Sequence, residues 1–387
     1  MVPKEWTLET LGSITAESAF GPRFSSDLYD DNGTVGTIRT TDLDEEGNIN
    51  YSTIPYAYLP KSFESHYLRE HDLLITRSGS CGIPCLFENQ TKPIIAGAFL
   101  IRFRLNDKAE PRFIHALLKS EKLQNKIQSM TAGGVQKNLS GTNLKKLEFF
   151  LPPLSEQKKI AQILSTWDKA ITTTEKLLAN SEQQKKALME QILTGKKRFS
   201  GANKEWLRNS LRKLVKISKG QQLNRSTLRE IGKYPVINGG IAPSGYSEMA
   251  NRSGDTITIS EGGNSCGYVS YQKNDFWCGG HCYALCDLEL TTQITYQLLK
   301  FNEKKIMKLR VGSGLPNIQK KDLENLIIYY PTDPVEQQKI SSILYAADEE
   351  IRILREKIKY LQKEKKTLMQ QLLTGKKRVK IAEKNNA

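Results

Sequence analysis

No run of eighteen apolar residues occurs anywhere in the chain, which excludes a helix spanning a bilayer. The opening Met1-Val2-Pro3-Lys4-Glu5-Trp6 lacks the basic-then-apolar order of a secretory signal, so the expected location is cytoplasmic. Cysteine is scarce, six in 387 residues, and reads as buried thiols rather than as a disulfide framework. Histidine is scarcer still, and His66, His71, His115 and His281 form no evident triad. Cys278, His281, Cys282 and Cys286 lie close in sequence, but their spacing is not a zinc pattern, and the alternation through Trp277–Leu288 reads as a buried strand-like run.

Enzyme signatures are missing as well. A methyltransferase would need a Gly-rich cofactor loop and an Asp/Asn-Pro-Pro-Tyr/Phe motif; the only Pro-Pro is Pro152-Pro153, followed by leucine. The Gly-Lys pairs at 195–196 and 375–376 have no glycine five residues earlier, as a phosphate-binding loop requires. Glu156-Gln157-Lys158 has the Glu-x-Lys form of a nuclease, yet Gln338 replaces the lysine in a second copy. No catalytic residue, metal site or cofactor is therefore expected.

What is present is positive charge and repetition. The net charge of +15 fits a polyanionic partner. It is unevenly spread: residues 1–150 carry 17 Lys/Arg against 18 Asp/Glu, residues 204–330 carry 18 against 11. Lysines on a long helix also make an ordinary solvated face, so charge alone does not name the partner. The repetition is more specific. Glu156-Gln157-Lys158-Lys159-Ile160 returns as Glu336-Gln337-Gln338-Lys339-Ile340, and Leu193-Thr194-Gly195-Lys196-Lys197-Arg198 returns as Leu373-Thr374-Gly375-Lys376-Lys377-Arg378. The offset is 180 without a gap, with 19 identities across 43 positions. Lys4-Glu5-Trp6 recurs more loosely as Lys204-Glu205-Trp206.

Each copy reads as one long helix. Ile340, Leu344, Ile351, Leu354, Ile358, Leu361, Leu368 and Leu372 follow a heptad seam; the first copy is weaker, interrupted by Thr174, Ser181 and Lys185. Lys185 and Lys365 hold equivalent seam positions, where a polar side chain fixes register. Asp333-Pro334-Val335-Glu336 has the form of a capping box, Ser155 is the expected cap of the first helix, and Gly195 and Gly375 suit left-handed C-terminal positions. Such helices would run ~60 Å and pack antiparallel on each other.

The blocks before each helix mix strands and helices. Leu73–Thr76, Phe99–Leu105 and Leu147–Leu151 read as strands, and Pro111–Met130 as a helix with Phe113, Leu117, Leu118, Leu123 and Ile127 on its apolar side. The later block has strands at Thr256–Ser260, Tyr268–Tyr271 and Leu326–Tyr330 and a helix at Thr292–Leu309. The fold class is thus α+β: two mixed globular domains separated by two long helices in an antiparallel coiled coil with pseudo-twofold symmetry. Polar turns match between the blocks. Arg77-Ser78-Gly79-Ser80-Cys81-Gly82 corresponds to Glu261–Gly267, and Gly133–Asn138 to Gly312–Asn317; Asn238-Gly239-Gly240 has no clear partner. Ordinary hairpins use such turns, but Arg, Lys, Asn and Gln on them are also the side chains that read base edges.

The Pro-Pro-Leu-x-Glu-Gln-x-x-Ile stretch at Pro152–Ile160, Leu-Thr-Gly at 193–195, their copies near 336–340 and 373–375, and the block starts at Trp6 and Trp206 resemble the specificity subunit of Type I restriction–modification systems over nearly the whole chain. The second copy departs at Pro331-Thr332-Asp333-Pro334, where Pro-Pro is lost. The resemblance implies target recognition domains at 1–150 and 200–330, spacer helices at 151–199 and 331–378, and a tail at 379–387. It implies that each domain reads one half of a bipartite double-stranded DNA target. The helices would set the gap and dock two methyltransferase subunits that bind S-adenosylmethionine, with a restriction/translocase subunit as a further partner. The candidate DNA-contacting residues are Arg77, Ser78, Ser80, Gln136, Lys137, Asn138, Asn238, Asn264, Ser265, Arg310, Asn317 and Lys320. Two other readings stay open on the residues alone: a coiled-coil scaffold without DNA reading, and a divergent DNA-modifying enzyme.

Overall fold

The structure is a computed structural model that describes residues 3–131, 138–312, 314 and 316–380. The chain forms two compact units, residues 1–174 with 357–387, and residues 175–356. Each unit thus holds one mixed block together with a part of both long helices.

In the first unit a four-stranded antiparallel sheet runs in the order Thr15–Phe20, Leu100–Leu105, Leu73–Thr76, Pro84–Leu86. A three-stranded sheet has Val35–Ile38 at its centre, antiparallel to Tyr56–Ala57 and parallel to Ile94–Ala96. The Leu-Leu-Ile run at 73–75 lacks polar alternation because both its faces are covered. Leu73 and Ile75 enter a core with Phe113, Leu117 and Ile127, while Leu74 enters another with Ile38, Cys85 and Ile94. Thr7–Thr10 pairs antiparallel with Glu148–Leu151, so the two ends of the block meet where the first long helix begins.

The second unit repeats this plan. Its four-stranded sheet runs Lys216–Lys219, Cys282–Cys286, Thr256–Ser260, Val269–Gln272. Its three-stranded sheet centres on Tyr234–Ile237, again antiparallel to one neighbour, Tyr246–Ser247, and parallel to the other, Trp277–Cys278. Leu207–Ser210 pairs with Ile327–Tyr330 as the closing ribbon. The duplication seen in the helices therefore extends through blocks whose sequences share little.

Two expected helices are each broken in two. Pro111–Leu118 and Glu121–Ser129 replace the single helix at 111–130, because Ser120 takes an extended backbone (ψ 141°). All five predicted apolar-face residues are nonetheless buried, and Gln124 Nε2 donates to the freed Leu118 carbonyl at 2.8 Å. Likewise Thr292–Phe301 and Glu303–Met307 flank Asn302, whose Nδ2 donates to Leu298 O at 2.8 Å. In the first unit the amide replaces a lost helical bond, whereas Leu298 O also keeps its helical bond from Asn302 N at 3.1 Å.

The long helices are Leu154–Ile192 and Pro334–Leu372, 39 residues each and unbroken. The first is capped by the Pro153 carbonyl, which accepts from Glu156 N and Gln157 N, so Ser155 lies inside the helix rather than capping it. Asp333 caps the second, its Oδ1 accepting from Val335 N at 3.0 Å. Glu336 does not complete a capping box; it is buried and serves a different partner set. Gly195 and Gly375 adopt φ of 71° and 70° as the sequence predicts.

Within each unit the helix segments run antiparallel. In the first, Glu156 meets Arg378 and Asp168 meets Lys365. In the second, Arg198 meets Glu336 and Lys185 meets Asp348. The pieces of sequence shared by the two copies have a physical reason to recur. Glu156 is fully buried; it accepts from Trp6 Nε1 at 3.2 Å and from Arg378 Nε and Nη2 at 2.6 and 2.9 Å. Glu336 does the same for Trp206 Nε1 at 2.9 Å and Arg198 Nε and Nη2 at 3.0 and 2.8 Å. One carboxylate thereby ties a block's first tryptophan, the start of one helix and the tail of the other.

Candidate nucleic-acid interface

The matched turns come together in space in both units. In the first, the strand Leu73–Thr76 runs into Arg77, and Leu139 N donates to Arg77 O at 2.8 Å while Ser78 and Asn138 form a bridge. Thr76 Oγ1 donates to Ser80 O at 2.5 Å, and Gly79 and Gly82 take φ of 74° and 88° to close the turn. Gln128 Nε2 braces it through Cys81 O at 2.8 Å. The Arg77 guanidinium lies 4.6 Å from the Phe20 ring centroid, with its Nε unpartnered. Ser80 and Asn138 are exposed and Ser78 is half-buried; Gln136 and Lys137 lie outside the described residues.

The second unit uses the same hydrogen bonds with different side chains. Ile318 N donates to Glu261 O at 2.8 Å, and Gly262 bridges Asn317. Cys266 Sγ contacts Glu261 O at 3.0 Å as Cys81 Sγ contacts Arg77 O at 3.1 Å. Asn264 is exposed at the turn and Ser265 is half-buried. Where the first unit has an arginine, this one has Glu261, whose Oε1 accepts from Lys219 Nζ at 2.6 Å and Tyr283 OH at 3.1 Å. Burial, with the nearby Glu261 charge, raises the Tyr283 phenol, which stays protonated. Arg310 is exposed beside Val311, which exchanges backbone bonds with Asn317, and Lys320 opens a short helix where it pairs with Glu324 at 3.6 Å.

The third turn also finds its place. Ser260 Oγ donates to Gly239 O at 2.6 Å, and Asn238 Oδ1 accepts from His281 N at 3.1 Å. A Cβ at Gly239 would sit 3.2 Å from Gly262 O, so this turn packs on the Glu261 turn, a meeting no sequence match had indicated. Phe20 and Lys219 join the turns as well, through Arg77 and Glu261. Nothing in their spacing marks them; strand pairing brings each beside the turn.

Among the described residues no group of three or more His, Cys, Asp or Glu could hold a metal. Cys278 and Cys282 are buried, and contact with Cys278 together with burial pushes the Cys282 thiol up. Among those residues no helix is long and apolar enough to cross a membrane.

Residues 3–183 and 203–363 match the Type I restriction modification DNA specificity domain, one match for each block. The chain belongs to this family. Individual members are more distant. S.MpnORF638P of Mycoplasma pneumoniae, named among the type I specificity subunits, is 35% identical over 159 residues, covering 40% of this chain and 42% of that one. The match thus spans well under half of that relative's length. The Type I restriction enzyme MjaVIII specificity subunit of Methanocaldococcus jannaschii is 24% identical over 388 residues, covering 87% and 88%. The crystal structure of the S subunit from M. genitalium superposes with a TM-score of 0.72 at 20% identity, covering 98% of this chain and 97% of that one. That likeness extends the family's fold to both blocks and both helices.

Proposed function

We propose that this family member is a non-catalytic, cytoplasmic reading subunit of a restriction–modification assembly. The domains at 1–150 and 200–330 each read one half of a bipartite duplex target. The helices at 151–199 and 331–378 set the unread gap and dock two methyltransferase subunits that bring S-adenosylmethionine; a restriction/translocase subunit joins the same assembly. The reading rests on one observation: a single fold is used twice, with unlike side chains on the same paired turns, Arg77 in one unit and Glu261 in the other. An enzyme duplicated for catalysis would repeat its reactive groups. Here the scaffold repeats and the turn chemistry differs, as two half-sites of different sequence require.

Replacing residues 204–330 by the block of a relative, in the assembled methyltransferase, tests this. Mapping methylated bases should show one half-site changed and the other kept; an unchanged pattern overturns the reading. Inserting four residues into one long helix should lengthen the gap between half-sites. The competing reading, a scaffold with no DNA role, draws on the near-neutral first block. It predicts no salt-sensitive duplex binding, whereas phosphate contacts make affinity fall steeply with salt.

A further inference from the structure

The second unit contains a cavity of about 310 Å³ between the strand Val269–Gln272, the helix Thr292–Phe301 and the start of the second long helix. Tyr268, Tyr271, Tyr296 and Tyr345 wall it, and Gln297, Ser341 and Asp348 supply its polar lining. Gln297 is only 3% exposed and Ser341 6%. The Gln297 amide is oriented by its neighbour: Nε2 donates to Asp348 Oδ2 at 2.8 Å, which leaves Oε1 as a buried acceptor without a partner. Ser341 Oγ is also buried and unpartnered. A buried acceptor left unmatched is unfavourable, so the lining favours an occupant that donates.

The chemistry of that occupant follows from the rest of the wall. The rings offer electron-rich faces; Tyr271 and Tyr296 lie 5.9 Å apart, tilted by 47°. An ammonium already sits on one of them, Lys300 Nζ at 4.2 Å from the Tyr268 centroid. The nearby cations are committed, Lys185 to Asp348 and Lys300 to Glu303. An anion would meet tyrosine walls and the Asp348 carboxylate, which Lys185 and Gln297 already engage. A cation with N–H donors would find acceptors and aromatic walls, the composition that holds alkylated ammonium groups elsewhere.

We propose that this cavity binds the head of an organic cation carrying N–H donors, an alkylguanidinium or a primary alkylammonium, once per chain. The single stoichiometry comes from the other unit. Aligned on Gly82/Gly267, on Leu117-Leu118-Lys119/Leu298-Leu299-Lys300 and on the helix offset, the first unit has His115 for Tyr296, Ala116 for Gln297, Ala161 for Ser341 and Ser165 for Tyr345. Only the aspartate, Asp168, is kept. The duplicated surface is chemically unequal at this point, so the ligand marks one half of the chain.

The test is calorimetric titration of the full chain with agmatine, and with N-butylurea as a neutral donor of similar shape. Agmatine should bind at one site per chain and N-butylurea about tenfold more weakly or worse. Gln297→Leu and Tyr345→Ala should each weaken agmatine about tenfold, whereas Tyr345→Phe should keep it within about twofold, since the ring face is retained. Tyr345 is 56% exposed, so its variants carry the test should Gln297→Leu fail to fold. Absence of binding, equal binding of the urea, two sites per chain, or unaltered binding in Tyr345→Ala overturns the proposal. Adding agmatine to the chain assembled with its protein partners then separates two sources of the same chemistry. Competition assigns the site to a partner's arginine or lysine side chain; undisturbed assembly with agmatine bound assigns it to a free amine.

Discussion

Lys365 of the second long helix is ion-paired with Asp168 of the first, and a shift of 180 positions turns this pair into Lys185 with Asp348. Both lysines occupy positions where the heptad seam calls for an apolar side chain. Each is given a carboxylate on the facing helix of its own unit, so the polar interruption is matched at one alignment of the helices and mismatched at others. Asp168 is more than half exposed, which keeps the pair's contribution to stability small. A double-mutant cycle on Lys365→Asp and Asp168→Lys should therefore give a coupling of about 0.5–1 kcal/mol, with the reversed pair recovering most of the loss. Lys365→Leu should leave the thermal midpoint unchanged or higher. Zero coupling in the cycle would remove the register role.

The buried carboxylates predict a larger effect. Glu156→Ala leaves the buried Trp6 indole N–H without its acceptor and takes one carboxylate from Arg378, which keeps its pair with Glu5, and a buried donor left unmatched costs about 1–3 kcal/mol. Arg378→Ala should cost less, because Arg378 is 40% exposed and Trp6 would still donate to the carboxylate. Hydrogen exchange should show the loss confined to the first unit for Glu156→Ala and to the second for Glu336→Ala. Uniform loss across both would contradict the independence of the two clusters.

These clusters also show where the sequence was readable. Trp6, Glu156, Arg378 and their copies stand out as a repeat because each performs one fixed contact twice, so the residue type cannot drift. The long helices were legible for the same reason: a heptad seam is a strict local pattern. The breaks at Ser120 and Asn302 were not, since the apolar face continues across each and only the backbone turns. The pairing of the turns was half legible. Matching glycines located them, but that Ser78 meets Asn138, or that the Gly239 turn packs on the Glu261 turn, depends on strand order, which periodicity does not encode. The tyrosine cavity left no mark at all, because its walls come from three elements far apart in sequence and only one unit has them.

His115 makes the first unit sensitive to acid. Burial lowers its pKa to about 4, with Lys119 adding to the effect, while its Nε2 lies 3.2 Å from Pro84 O. The folded state thus holds the ring neutral where the unfolded chain would protonate near its ordinary value of about 6.5. For a histidine with a depressed pKa, the stability is present above about pH 6.5 and is lost as pH falls toward 4, by up to about 3 kcal/mol. Lys119, Lys365 and Asp168 all act on the ring, so the two lysines deepen the effect and the carboxylate softens it. His115→Gln keeps a donor for Pro84 O and removes the titration. Its unfolding free energy should fall less than the parent's between pH 7 and pH 4.5, and an equal fall in both proteins would assign the acid sensitivity to other groups.

Arg77 and Asn138 meet on one surface of the first unit, and their counterparts, Glu261 and Asn317, meet on the second. If each pair of turns reads one half-site, the consequences of substitution must separate by unit. Arg77→Ala removes a guanidinium that stacks on Phe20 and makes no ion pair among the described residues, so stability should change by less than about 1 kcal/mol. Its effect should appear in DNA discrimination instead. A lost bidentate base contact costs about 1–3 kcal/mol and relaxes preference at one position, whereas a lost phosphate contact weakens all sequences alike and reduces the salt slope by about one. Methylation rates of the assembled enzyme on duplexes altered in one half-site distinguish these outcomes. Asn317→Ala should leave the half-site affected by Arg77→Ala untouched, because the two residues belong to turns of different units. Coupled loss at both half-sites would mean that the turns act on a shared feature of the assembly, and would remove the one-unit, one-half-site assignment.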